Sequence, residues 1–283
     1  MFKFFFLLPS ATIVWFIYEW FEHNAIQYNT KKILFEKLKG QNDLKICLIT
    51  DLHNNSKNLK KVTKKIREFS PELILLAGDM VDKHKKENHH AEQMILQLAN
   101  IAPVYYAVGN HEQTLMQEQP KAWKSYMNCC KHSIHFLNNE GEFALEHRNI
   151  FISGLSLPKI FYKKGSLYKQ INQLPKLTIP KDCFHIMLAH NPEYGSLYHR
   201  YHADFIVSGH LHGGLLRLPL IGGVISPRLR FPGCDAGLVS LKEDKKLFIS
   251  RGLGSHTIPL RFFNRVEINF LVLCGTKTIE ETE

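Results

Sequence analysis

No two of the six cysteines stand in a CxxC spacing, so a zinc ribbon and a disulfide framework are not implied for this chain. Cys47 lies inside an apolar run, where a core thiol is the plain reading. Internal repeats are also missing, which removes solenoids and arrays. Acidic charge is in short supply, with 26 Asp and Glu against 36 Lys and Arg, a balance that suits an anionic partner such as a phosphate ester, nucleic acid or an acidic membrane face. What is plentiful is apolar residues and histidine. At 283 residues and 45% hydrophobic composition the chain can bury one large core, so one catalytic domain with an appendage is expected. Sixteen histidines are many for this length, and their placement carries the argument.

The appendage is N-terminal. From Phe4 to Phe21 the chain reads FFFLLPSATIVWFIYEWF, apolar apart from Ser10, Thr12 and Glu19, with Pro9 near its start. A bilayer core of about 30 Å needs roughly 20 helical residues, so residues 1–24 are predicted as a membrane helix that barely spans, with a buried or interfacial helix as the other reading. No small-x-small cleavage site is present, and bulky Trp20 and Phe21 stand where one would fall, which argues against a cleaved signal peptide. Trp15, Tyr18 and Trp20 suit an interfacial belt. Lys3 opposes Lys31, Lys32, Lys37 and Lys39 across the segment, and the expected lean is to the cytoplasmic face. Residues 25–43 are expected as a linker and 275–283 as a disordered tail.

Between them, over 44–274, apolar runs alternate with helical periods. Leu44–Thr50 reads as a buried strand. Asn58–Phe69 places Leu59, Val62, Ile66 and Phe69 on one face and five basic residues elsewhere, an amphipathic helix whose lysines form a solvated face. Leu73–Ala77 is a second strand, His89–Ile101 a second helix and Val104–Val108 a third strand, which predicts βαβ units and a largely parallel sheet. Later runs at Ile150–Ser153, His185–Ala189, Phe205–Ser208, Gly237–Leu241, Leu247–Ser250 and Val266–Leu273 have few helical patterns between them, as a second sheet would.

Each early strand runs into metal-binding residue types. Asp51-Leu52-His53 follows the first, Gly78-Asp79-Met80-Val81-Asp82 the second, and Gly109-Asn110-His111-Glu112 the third. Strand ends of a parallel sheet share one edge, where α/β ligand sites form. The second half adds His190 after a strand and Gly209-His210-Leu211-His212-Gly213-Gly214 after another, with His210 and His212 spaced to point the same way. Taken alone, Asp-x-His is more often a turn and a lone His190 more often a core histidine, and GNH reads as a turn with a helix cap. Together, in order and each at a strand terminus, they point to a metal site.

DxH, GDxxD, GNHE, an isolated His and GHxH in this order resemble the calcineurin-like metallophosphoesterases over about residues 44–274. The stretches SGHLHGG, RLPLIGG and SRGLGSHTIPLRFFNR are similar to a membrane-associated bacterial branch, that of the YkuE-like phosphoesterases and the calcineurin-like UDP-2,3-diacylglucosamine hydrolases. The resemblance implies a four-layer α/β/β/α sandwich with a dinuclear metal site between the sheet edges. It puts Asp51, His53 and His212 on one metal, Asn110, His190 and His210 on the other, and Asp79 between them. It also places His111 beside the phosphate as a proton donor or charge stabiliser, with Glu112 orienting it. Asp82 fills the last position of its motif, and Leu215 stands where the branch usually carries a glutamine, which puts an amide contact to the leaving group in doubt.

The chemistry stands without the family. Carboxylate, amide and imidazole ligands without thiolate suit two divalent ions, Mn²⁺ first, with Fe or Zn²⁺ as alternatives. Two such ions about 3.5–4 Å apart share a water and lower its pKa from 15.7 toward roughly 7, giving a hydroxide that attacks phosphorus in line. The expected enzyme is therefore a metallophosphoesterase cleaving a phosphodiester or pyrophosphate bond in a phosphorylated small-molecule or lipid-linked substrate. A nuclease or nucleotide phosphodiesterase is the second reading, although nucleic acid is not the expected partner, and a non-catalytic metal-stabilised binding protein is the third. Leu157–Pro180, with interleaved aromatics and lysines, reads as a substrate loop or lipid-facing cap or as a plain surface excursion. Arg217, Arg251 and Arg261, with Arg228 and Arg230 nearby, are candidates to hold a second phosphate.

Overall fold

The computed structural model describes residues 3–163, 171–214, 216–218, 222–225, 235–254 and 261–275. In chain order the helices are α1 (Lys3–Asn24), α2 (Leu59–Phe69), α3 (His89–Ala99), α4 (Asn110–Glu118) and α5 (Pro120–Cys130). The strands are β1 (Gln27–Phe35), β2 (Leu44–Ile49), β3 (Leu73–Ala77), β4 (Val104–Ala107), β5 (His135–Leu137), β6 (Glu140–Leu145), β7 (Ile150–Leu155), β8 (Phe184–Ala189), β9 (Phe205–Ser208), β10 (Leu216–Leu218), β11 (Gly222–Ile225), β12 (Gly237–Ser240), β13 (Lys246–Ile249) and β14 (Glu267–Gly275).

Among the described residues these strands make two six-stranded sheets and one small hairpin of β10 and β11. The first sheet runs β1-β14-β2-β3-β4-β5, and β2 to β5 pair in parallel. The second runs β12-β13-β9-β8-β7-β6, with β13, β9, β8 and β7 parallel. Period-two alternation sorts the side chains of each central strand into different cores. In β3, Ile74 and Leu76 face α2, α3 and α5, whereas Leu73, Leu75 and Ala77 face the other sheet. In β8, Phe184, Ile186 and Leu188 face inward between the sheets, whereas Met187 and Ala189 face an outer layer. Burial on both faces explains why these strands read as continuous apolar runs.

Three layers match the expected sandwich and the fourth differs. The outer face of the second sheet is covered by 3-10 segments, chiefly Pro192–Tyr201 and Lys159–Tyr162, through Tyr194, Leu197, Tyr198 and Phe161. Pro192, Gly195 and three tyrosines supply poor helix formers there, and packing fixes the tighter coil.

Three expectations about the ends are corrected. Residues 25–43, expected as a linker, contain β1, which pairs in parallel with all nine residues of β14 and completes the edge of the first sheet. Gly275, expected in a disordered tail, is the last residue of β14, and 276–283 lie outside the described residues. The predicted membrane segment is helical, yet among the described residues no helix is long and apolar enough to cross a membrane. Glu19 and Glu22 interrupt its apolar character, and both are turned into the domain: Glu22 is buried, and each carboxylate accepts a backbone N–H from the segment that follows residue 260.

Candidate metal centre

The C-terminal ends of β2, β3, β4, β8 and β9 meet where the two sheets face each other, and each delivers one motif. Asp51, His53, Asp79, His210 and His212 all adopt positive φ, between 49° and 70°, a region that non-glycine residues rarely occupy. Strain of this kind persists only where the surroundings fix it, and it clusters at functional sites. The glycines beside these residues have a steric reason. A methyl group on Gly109 would collide with Asp79 Oδ1, one on Gly209 with Asp51 Oδ2, and one on Gly78 would lie 2.7 Å from His190 Nδ1. The backbone must pass closer to the ligand side chains than any Cβ allows.

Three groups of donor atoms, each within 4.8 Å, result: Asp51, His53 and His212; His53, Asp79 and His111; and Asp79, His190 and His210. They share His53 and Asp79, so the donor atoms form one connected chain. His53 Nε2 and His212 Nε2 are 3.1 Å apart with the rings stacked, and His212 Nε2 lies 3.5 Å from Asp51 Oδ1. His190 Nε2 is 3.1 Å from Asp79 Oδ2 and 3.8 Å from Asp51 Oδ1. Such separations fit atoms on the edges of coordination shells with bonds of about 2.0–2.2 Å. Asn110 Oδ1 is a buried acceptor without a hydrogen-bond donor among the described residues, the condition of a carbonyl oxygen reserved for a cation. The donor set is carboxylate, amide and imidazole without thiolate, so the residues fit hard or borderline divalent ions.

Hydrogen bonds orient the ligands. His190 Nδ1 lies 2.8 Å from the Ala77 carbonyl, which accepts its proton and leaves Nε2 for a cation. Asp51 accepts from the His210 backbone N–H at 3.1 and 3.2 Å, and Asp79 Oδ1 accepts from the His111 N–H at 2.8 Å. Burial pushes the Asp51 carboxyl up to about 6, a trend that the charge of His190 opposes. Burial acts the same way on Asp79, but the charges of His190, His111 and His53 hold it well below the usual carboxylate range. For His190, burial works against protonation and is overcome by Asp79 and Asp51, which raise it to about 10. These carboxylates and imidazoles thus concentrate negative charge and basic nitrogen in one place.

Glu112 was expected to orient His111. Instead it is fully buried and accepts from five donors: the backbone N–H groups of Asp79, Met80, Val81 and Gly109, and the Tyr106 hydroxyl, at 2.6 to 3.2 Å. It therefore ties the GDxxD and GNHE loops together. Such a clamp is invisible in sequence because its partners are mostly backbone groups. Asp82 stands aside from the three donor groups, its Oδ1 accepting from the His84 N–H and lying 3.8 Å from His111 Nδ1. His111 is partly exposed at the rim, and its Nδ1 accepts from the Lys83 N–H at 3.3 Å. A neutral ring so held carries its proton on Nε2. Burial lowers the pKa of His111.

The three arginines expected to touch substrate are occupied otherwise. Arg217 pairs with Asp235 and donates to the Gly213 carbonyl. Arg251 pairs with Glu267 at 2.5 Å and reaches Gln27. Arg261 is buried and donates to the carbonyls of Asn264, Arg251 and Gly254, with its Nη2 3.2 Å from His212 Nδ1. Leu215, Arg228, Arg230 and residues 164–170 of the expected substrate loop lie outside the described residues. The described part of that loop places the Tyr162 ring 5.2 Å from the His210 ring, a neighbour of the centre that spacing alone did not single out.

The sequence profile of the calcineurin-like phosphoesterases matches residues 44–214. The chain is 27% identical over 250 residues to metallophosphoesterase Cj0846 of Campylobacter jejuni, itself uncharacterized, covering 83% of this chain and only 60% of the relative's length. It is 26% identical over 246 residues to the uncharacterized metallophosphoesterase YkuE of Bacillus subtilis, covering 84% of this chain and 81% of YkuE. It is 25% identical over 302 residues to the UDP-2,3-diacylglucosamine pyrophosphatase LpxG of Chlamydia muridarum, covering 88% and 91%. The profile spans more than half of the chain, ending on the GHxHGG loop that carries His210 and His212, and the chain belongs to the calcineurin-like phosphoesterase family, a metallophosphoesterase.

Proposed function

We propose that the protein is a dimetal phosphohydrolase that cleaves a phosphodiester or pyrophosphate bond in a lipid-linked substrate such as UDP-2,3-diacylglucosamine. The observation that carries this reading is the convergence of Asp51, His53, Asp79, His190, His210 and His212 into linked donor groups beside the unbonded Asn110 Oδ1. In it, Asp51, His53 and His212 hold one ion, Asn110, His190 and His210 the other, and Asp79 serves both. Two divalent ions, Mn²⁺ in first place, supply a lowered water pKa and positive charge for the phosphoryl oxygens when bound. The chain's own residues do the rest. Glu112 and the strained loops hold the ligands still, and His111 offers its Nε2 proton to a phosphoryl or departing oxygen.

The lipid part rests on two supports. One is the likeness to LpxG, whose name states a UDP-2,3-diacylglucosamine pyrophosphatase. The other is the outward face of α1, where Val14, Phe16, Ile17 and Trp20 are more than 60% exposed, next to exposed Phe262 and Phe263 on the segment that begins with Arg261. Aromatic residues at such a face suit the bilayer interface, and Arg265, stacked over the Phe21 ring at 4.9 Å, supplies positive charge for anionic headgroups. In this reading α1 lies on a lipid surface. The direct test is hydrolysis by protein loaded with Mn²⁺, comparing UDP-2,3-diacylglucosamine in detergent and in anionic vesicles with bis-p-nitrophenyl phosphate, a phosphomonoester and DNA. Preferred turnover of the lipid-linked pyrophosphate supports the proposal. Equal or faster hydrolysis of DNA replaces it with a nuclease, and metal uptake without turnover of any of them leaves a binding protein.

A further inference from the structure

The GHxHGG loop that carries His212 is closed on itself by two turn bonds, from the Leu211 N–H to the Gly209 carbonyl and from the Gly214 N–H to the Leu211 carbonyl, and takes the rest of its support from outside. His212, Gly213 and Gly214 are three consecutive residues with positive φ, and no helix or strand pairing fixes them. Arg217 holds the Gly213 carbonyl, and the carbonyls on either side are held by Asn264, fully buried, whose Nδ2 donates to His212 at 2.7 Å and to Gly214 at 2.5 Å. Arg261 completes the support from the same segment, bonding the Asn264 and Gly254 carbonyls and reaching His212 Nδ1. Residues 261–264 are themselves irregular, with Phe263 at φ 52°, so their backbone donors need partners from elsewhere. Among the described residues α1 supplies partners for three of them. Glu19 Oε2 accepts from the Arg261 N–H at 3.1 Å, the Tyr18 hydroxyl from the Phe263 N–H at 2.7 Å and Glu22 Oε2 from the Asn264 N–H at 2.6 Å. The Glu22 carbonyl accepts from the Val266 N–H at 3.2 Å, and Lys57 ties the end of the helix to the loop after His53 by donating to the His23 carbonyl.

We propose that α1 is a structural part of the metal centre, a strut through which Tyr18, Glu19 and Glu22 position His212. The inference rests on reading His212 as a ligand of the group with Asp51 and His53. It changes what the N-terminal segment is. A helix that only tethers the domain can be removed or altered without effect on the ions, whereas a strut cannot. Outer partners of a ligand are worth about 10- to 100-fold in metal affinity, and Asn264, on the His212 carbonyl and braced by Arg261 on its own, is such a partner, held in turn by the helix. Glu22 acts through acceptor geometry, so a glutamine there, which keeps a carbonyl oxygen, preserves the bond to Asn264 and an alanine does not.

The test is calorimetric titration of the full-length, metal-free chain with Mn²⁺. The wild type is expected to take up two ions. Glu22→Ala is expected to weaken one binding event about tenfold and leave the other unchanged. Glu22→Gln is expected to restore the wild-type isotherm, which loss of general stability would not explain. Tyr18→Phe, which removes a single exposed acceptor and does not threaten folding, is expected to weaken the same event about two- to threefold. If Glu22→Ala fails to fold, Tyr18→Phe decides. Wild-type uptake of both ions by Glu22→Ala and Tyr18→Phe overturns the strut, as does equal weakening of both events. A wild type that binds no Mn²⁺ instead sinks the dimetal reading and is thereby distinguished from failure of the strut.

Discussion

His111 is the residue on which chemistry and scaffold separate most cleanly. Its ring belongs to a donor group with His53 and Asp79, yet Nδ1 is engaged by the Lys83 N–H, and the side chain reaches the rim. As a proton donor to phosphate it contributes to rate and little to metal retention. His111→Ala is therefore expected to keep both ions, by metal analysis, while kcat falls by about 10²- to 10⁴-fold in steady-state assays. A second histidine reports on stability. His185 is buried away from the centre, its Nδ1 directed at the Tyr201 carbonyl and its Nε2 2.7 Å from Ser153 Oγ. Burial lowers its pKa to about 4 from an ordinary value of 6.5. The folded-state pKa is depressed, so the unfolded chain binds the proton first as pH falls. The contribution of this group is whole above pH 6.5 and lost progressively down to about pH 4, on the order of 3 kcal/mol in total. Unfolding in chelator, so that metal release plays no part, is expected to show a shallower acid loss for His185→Gln than for the wild type.

The elements divide by how local their causes are. β2, β3, β4, β7, β8 and β9 are buried on both faces, so each reads as an apolar run whatever it packs against, and α2 and α3 show a one-sided period. The donor residues were legible for the same reason, since each sits directly after such a strand. β1 was not legible. Only Ile33 and Phe35 of its nine residues are buried among the strand's polar ones, and its partner residues in β14 are 240 positions away, so pairing that no local pattern records decides its state. α1 was read as apolar and hence detached because a sequence does not show that Glu19 and Glu22 face a loop beyond residue 260. The left-handed residues of the metal loops were equally hidden, as aspartate and histidine carry no glycine-like mark of positive φ. β1 can be tested by its anchor. Phe35 packs edge-on against Phe184 and Phe205 of the other sheet and is 2% exposed. Phe35→Ala is expected to cost about 3–5 kcal/mol in denaturant unfolding, whereas removal of a true linker residue would cost almost nothing.

At the scale of the whole molecule, two sheets press their strand ends together and a third party, α1, braces one side of the seam. The net charge of +10 favours approach of an anionic substrate, and the seam is where the donor groups stand. In the proposed function everything specific to catalysis depends on that seam holding two cations, with Asp79 common to both. The most direct measurement is metal content and anomalous diffraction of the chain purified with Mn²⁺, for the wild type and for Asp79→Asn. The account predicts two ions per chain among Asp51, His53, Asp79, Asn110, His190, His210 and His212, and loss of occupancy together with turnover in Asp79→Asn. A wild-type chain holding no ion or one, or an Asp79→Asn chain that keeps both, would contradict it.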